Sequence, residues 1–107
     1  MALYMTQFSY SSDAWAALAK RPEDRGKVFG ALVERFGGKF HDIYYCFGDY
    51  DGLVMYEAPD NATAAAIVVA ATSPGHLKAT KTTPLFTMSD AMELLRRAGG
   101  VSYRAPA

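Results

Sequence analysis

Two histidines, one cysteine and a short acidic run are the side chains of this 107-residue chain with the most capacity for chemistry. His41 and His76 are the natural proton carriers near neutral pH. Neither belongs to a Ser-His-Asp pattern or to a His-x-x-x-His metal spacing. His41 opens a strand and His76 follows Pro74-Gly75, positions normally open to solvent, so both read first as surface or structural residues. Cys46 falls within a strand beside aromatic residues and no evident base, the setting of an inert small hydrophobe. Asp49-Tyr50-Asp51-Gly52 contains the Asp-x-Asp-Gly fragment of a calcium loop. The acidic ligand that closes such a loop is missing, and a hard cation wants six or more oxygens. No metal and no cofactor is expected. Glu57 ends an apolar strand and reads as bonded to backbone or solvent; if buried, it needs a partner, for which Lys78 or Lys81 is the candidate.

The aromatic residues are the stronger signal. Tyr4, Phe8, Tyr10, Trp15, Phe29, Tyr44, Tyr45 and Tyr56 are many rings for so short a chain. A buried tyrosine hydroxyl needs a partner, so these rings either fill a core and an interface or line a wet cavity. Tyr4, Phe8, His41, Tyr45 and Lys78 are the residues expected to touch a ligand.

Composition removes several function classes. Half the residues are apolar, which excludes general disorder. Eleven basic and eleven acidic residues cancel, leaving no basic stripe for nucleic-acid phosphates and no patch for an anionic membrane. Met1 to Thr6 lacks the basic start and apolar run of a secretory signal, so a cytoplasmic setting is expected. Ala62 to Ala71 is about half the length a bilayer span requires. One cysteine allows no internal disulfide. A single domain is expected over residues 1–98, including a last helix at 88–98, with residues 99–107 as a tail.

The elements that must position these residues follow from periodicity. Ala2 to Tyr10 alternates as a first strand. Ser11 or Ser12 caps a helix carrying Trp15, Leu18 and Ala19, with Asp13 near its positive end. Pro22 should break that helix and then stand in the first turn of the next. Val28, Phe29, Leu32, Val33 and Phe36 form an amphipathic face, closed by Gly37-Gly38. Lys39 to Phe47 and Leu53 to Ala58 form a hairpin. Asp60 or Asn61 caps a helix to about Thr72 that is apolar nearly all round and so should be covered on more than one side. His76 to Phe86 is a Thr-rich fourth strand. Thr87-x-x-Asp90 resembles a capping box and opens the helix ending near Ala98.

This order, β-α-β-β-α-β plus a C-terminal helix, predicts an α+β, ferredoxin-like fold with a four-stranded antiparallel sheet and both main helices on one face. At the hairpin tip, Gly48, Tyr50 and Asp51 match the Gly-x-Tyr-Asp signature of the GYD family, which the chain resembles in element order up to Ala98. The resemblance implies the dimeric α/β barrel of that superfamily, an architecture and not a reaction. It also implies that a ligand would sit between the sheet and its helices.

The strands point to pairing independently. Leu3 and Met5 share one face while Tyr4 and Phe8 share the other. An even hairpin loop such as Asp49-Tyr50 sets Tyr45 opposite Val54. It puts Ile43, Tyr45, Val54 and Tyr56 on one face and Tyr44, Cys46, Leu53 and Met55 on the other. Helices roof only one of two greasy faces, so a homodimer is expected, with Tyr45 and Val54 as trial interface positions. The function expected is a module that binds a small, partly aromatic molecule. A cofactor-free enzyme of the monooxygenase or isomerase kind, and a purely structural or assembly role, are the alternatives.

Overall fold

The computed structural model describes residues 1–107. The chain runs β1 (Ala2–Tyr10), α1 (Ser12–Lys20), α2 (Arg25–Arg35), β2 (Lys39–Tyr45), β3 (Gly52–Ala58), α3 (Asn61–Thr72), β4 (Leu77–Leu85) and α4 (Met88–Gly99). The four strands form one antiparallel sheet in the order β2-β3-β1-β4, the ferredoxin-like arrangement expected.

Period-two alternation decides which face each residue serves. Tyr4, Phe8, Tyr10, Val54, Tyr56 and Ala58 all point beneath the helices and are buried with Val33 of α2 and Ala64 and Ile67 of α3. Each fully buried large side chain of this set contributes roughly 1.5–3 kcal/mol. The buried polar groups are paired: the Thr6 hydroxyl lies 2.8 Å from Tyr56 Oη and 2.9 Å from Thr82 Oγ1. Tyr4 Oη donates to Asn61 Oδ1 at 2.6 Å.

Caps close the helices where the sequence supplies short oxygen-bearing side chains. Ser11, Asp60 and Thr87 accept the backbone N–H of Ala14, Thr63 and Asp90. The start of α2 differs from expectation. Pro22 lies in the connector, and Asp24 is the cap, accepting the Gly26 N–H at 2.9 Å. Gly26 is required there, because an added Cβ would meet Ile43 Cγ2 at 2.8 Å.

The hairpin also corrects the expected register. Its loop is the six residues Cys46–Asp51, closed by the Cys46 N–H donating to the Asp51 carbonyl at 2.8 Å. Tyr45 therefore opposes Gly52, and Ile43 opposes Val54. Six is still an even number, so the face assignments survive although the pairing moves. The loop is wide because Asp51 is bound elsewhere: its N–H donates to the Phe8 carbonyl at 2.8 Å. Cys46 accordingly sits exposed in the loop and not within a strand.

The face away from the helices carries Leu3, Met5, Leu53, Met55 and the exposed Tyr44. Val54 and Tyr45 lie on the helix side, so they are not the positions that a second sheet would meet. Two helices are less covered than the sequence implied. α3 buries only Ala64 and Ile67 and leaves Val69 63% exposed. α4 buries nothing and makes no substantial contact with the body. The radius of gyration is 17.2 Å, where about 13 Å is usual for this length, and the longest dimension is 58 Å. α4 is the projecting part.

Candidate ligand-binding site

α2 packs chiefly on β2 and α3 on β3 and β4, with a gap between the two helices over the sheet. The gap is a half-open cavity of about 340 Å³, within the range of small-molecule sites. Twelve of its 18 lining residues are hydrophobic, so an occupant needs an apolar body. The floor is Phe8 and Val54, the α2 wall is Val28, Phe29 and Leu32, and Val68 and Leu77 close the other side.

The polar lining gathers at defined places. Thr6 and Thr80 rise from the sheet, while Tyr10, Arg25, His76 and Arg35 supply every ionisable group in the lining. No carboxylate is among them. Arg25, Val28, Leu32 and Arg35 fall three, four and three residues apart, so they form one helical stripe with a guanidinium at each end. Arg25 occupies the first turn of α2 and pairs outward with Glu23 through Nη1–Oε1 at 2.8 Å.

Tyr10 is fixed from several sides. Its hydroxyl shares a 2.9 Å hydrogen bond with Tyr45 Oη, and its ring meets Trp15 edge-on at 4.9 Å between centroids. Burial, and then the bond to Tyr45, push the Tyr10 phenol well above its ordinary pKa, while neighbouring Arg25 opposes that rise. Tyr10 is therefore a neutral hydroxyl at any physiological pH. The His76 ring lies 6.3 Å from Tyr10, tilted by 32°. Its carbonyl accepts the Ser11 N–H at 2.8 Å, which fixes the start of β4. Burial first, and the charge of Arg25 second, hold the imidazole below its ordinary pKa. At pH 7 it is a neutral donor and acceptor.

Asp51 organises this end from outside the cavity. Its Oδ2 accepts the Tyr10 backbone N–H at 2.9 Å and the Trp15 indole N–H at 3.0 Å. The Gly-x-Tyr-Asp segment thus ties the hairpin tip to β1 and α1. Gly52, next in sequence, lets the Phe8 ring approach, since an added Cβ would stand 2.5 Å from Phe8 Cζ. Gly48 has open space around it, and Tyr50 is half-buried with its carbonyl 3.3 Å from Cys46 Sγ.

Of the residues expected to touch a ligand, Phe8 lines the cavity. Tyr45 reaches its polar end only through Tyr10. Tyr4 is sealed in the core at 2% exposure. His41 is an extra residue in a β2 bulge, and its Nε2 pairs with Glu57 Oε2 at 2.7 Å. Glu57 has that histidine and neither lysine as its partner, and the bond holds its carboxyl below the usual value. Lys78 is exposed on the edge strand and does not line the cavity. Arg25, Arg35 and His76 do. The stripe of four on α2 was the signal for the two arginines; His76 had none beyond its turn. No group of three or more His, Cys, Asp or Glu residues is placed to hold a metal ion, and no helix is long and apolar enough to cross a membrane.

Comparison with known proteins agrees with this architecture. A family model described as GYD domain matches residues 4–95. No curated protein matches the sequence. Among solved structures, that of MtbAldR superposes with a TM-score of 0.59 at 19% identity. The match covers 80% of this chain and 53% of that one, so the chain spans about half the length of MtbAldR. TTHA0845 from Thermus thermophilus gives 0.52 at 14% identity, covering 81% of this chain and 95% of that chain. FFRP-DM1 gives 0.50 at 13% identity, covering 80% and 100% respectively. At these identities the likeness is one of fold.

Proposed function

The chain belongs to the GYD domain family, and from that premise we propose that it is a homodimeric module that binds a small, partly aromatic molecule between sheet and helices. The observation that carries this reading is the cavity of about 340 Å³ between α2, α3 and the sheet, apolar along its length and polar at Tyr10, Arg25 and His76. A cofactor-free enzyme is the second reading: His41 is engaged with Glu57 and is absent from the cavity lining, but His76, the other proton carrier, does line it.

A thermal-shift panel of one- and two-ring aromatic compounds tests the reading. A compound at 100 times its dissociation constant adds about 2.7 kcal/mol of stability, a rise on the order of 10 °C for a domain of this size. Val68→Trp, which fills the cavity from α3, should remain folded and lose the shift. A panel that moves neither protein leaves the assembly role in possession.

The homodimer rests on separate observations. Leu3, Met5, Leu53, Met55 and Tyr44 leave one sheet face greasy and unroofed, and α4 projects with Met88, Met92 and Leu95 along one side. A second copy related by a two-fold axis covers both surfaces with one interface. Mass in solution at micromolar concentration should be twice that of the 11.6 kDa chain.

A further inference from the structure

The geometry points to an organic monoanion as the ligand class: an aromatic monocarboxylate whose carboxylate docks on Arg25 at the Tyr10–His76 end of the cavity. This inference rests on the binding reading above and adds the charge and the direction of the bound molecule.

The ionisable lining is one-sided. Arg25 and Arg35 carry positive charge, Tyr10 and His76 stay neutral at pH 7, and no Asp or Glu lines the cavity. An aromatic amine would bring a cation to guanidinium groups in a largely apolar space whose lining holds no carboxylate, Glu23 outside it being already engaged with Arg25. A neutral ring would leave the inward donors unanswered. A carboxylate answers them, because the planar guanidinium fork matches its two oxygens and the charge-assisted bonds are the strong kind.

Charge matching also narrows the anion. At the Arg25 end a single permanent cation faces the cavity, beside a neutral imidazole and a neutral phenol. Arg35 stands about 15 Å further along α2 at 1.5 Å per residue, beyond the reach of the same head group. When a ligand carboxylate displaces Glu23 from Arg25, one cation balances one negative charge, whereas a dianionic phosphate is left with a surplus. The body of the ligand then runs along the Val28–Leu32 stripe, between the Phe8 and Phe29 rings.

Glu23 is the built-in competitor. It holds Arg25 at 2.8 Å from the solvent side, where the acid is more than half exposed. Arg25 also borders a smaller outer hollow with Glu23, Asp24 and Tyr45, so the guanidinium stands between an acidic exterior and an apolar interior. Freeing it from Glu23 should strengthen the carboxylate.

Calorimetric titration with matched acid and amide pairs, indole-3-acetate against indole-3-acetamide and 1-naphthylacetate against its amide, tests this. The wild-type protein should bind each acid at least tenfold more tightly than its amide. Arg25→Gln should abolish that preference while amide binding persists, Arg35→Gln should keep it, and Glu23→Gln should raise acid affinity alone. Circular dichroism of each variant establishes folding, and Arg25→Lys, which keeps the charge without the fork, should fall between wild type and Arg25→Gln. Equal affinity for acid and amide overturns the inference while leaving the binding reading intact. Preference abolished by Arg35→Gln and kept by Arg25→Gln overturns the assigned direction. Binding of neither acid nor amide to the wild-type protein removes the binding reading and this inference together.

Discussion

Asp51 Oδ2 accepts two N–H groups, from the Tyr10 backbone and the Trp15 indole, and those two residues shape the polar end of the cavity. Removing the carboxylate leaves the part-buried Tyr10 N–H without its acceptor and hands the exposed Trp15 N–H to water, which costs about 1 kcal/mol. Asp51→Ala should lower the urea midpoint accordingly, and Asp51→Asn, which keeps a carbonyl oxygen, should cost less. The sequence placed Asp51 at the hairpin tip, but its partners lie 41 and 36 positions away in the same chain, and no local pattern announces such bonds. His76 carries the pH prediction. Its folded pKa is held below 6.5, so as the pH falls through 6.5 the unfolded chain takes up a proton that the folded chain resists. Stability present above pH 6.5 is therefore lost on acidification towards the folded value. The groups facing the ring are Arg25 from α2 and Tyr10 from β1. His76→Asn should flatten the fall in melting temperature between pH 7 and pH 5; an unchanged slope would place the acid-sensitive group elsewhere.

At the level of elements, close approach decides where the cavity opens. Gly26 brings the first turn of α2 against β2, and Gly52 admits the Phe8 ring over the start of β3. Gly52→Ala would set a methyl 2.5 Å from Phe8 Cζ and 2.7 Å from the Tyr44 carbonyl oxygen. Backbone on one side and a packed ring on the other leave little room to yield, so a loss of about 1–3 kcal/mol in denaturant unfolding is expected. Asp24→Ala removes the α2 cap and should cost about 1 kcal/mol. Because Arg25 follows that cap, the same change should also weaken acid binding, which titration of the folded variant would measure. Helix and strand positions were legible from periodicity, and the α2 stripe from Arg25 to Arg35 was legible in principle. The connector was not: Pro22 suits a helix start, yet the helix begins at Arg25, where the Asp24 side chain caps it.

Across the whole molecule, the sheet has one roofed face and one bare one, and α4 stands clear of both. Met55→Asp puts a charge on the bare face without touching the core. In sedimentation at micromolar concentration it should shift the protein to the monomer mass with its helix and strand signals retained. Val54→Asp should instead unfold the chain, since Val54 is 3% exposed beneath the helices. A Met55→Asp protein of unchanged double mass would place the pairing surface elsewhere. The same geometry accounts for a radius of gyration of 17.2 Å: an amphipathic helix with no partner in its own chain adds length without compactness.

The sequence by itself determined the elements, their order and the two-sided greasiness of the strands, because each follows from period, turn chemistry and chain direction. Tertiary structure alone decided that Tyr45 meets Gly52, that His41 and not a lysine reaches Glu57, and that Arg25, Tyr10 and His76 converge on one end of one cavity. Those meetings join residues distant along the chain. Their cause is the packing of helices on a twisted sheet, which sums over many weak contacts and leaves no mark at any single position.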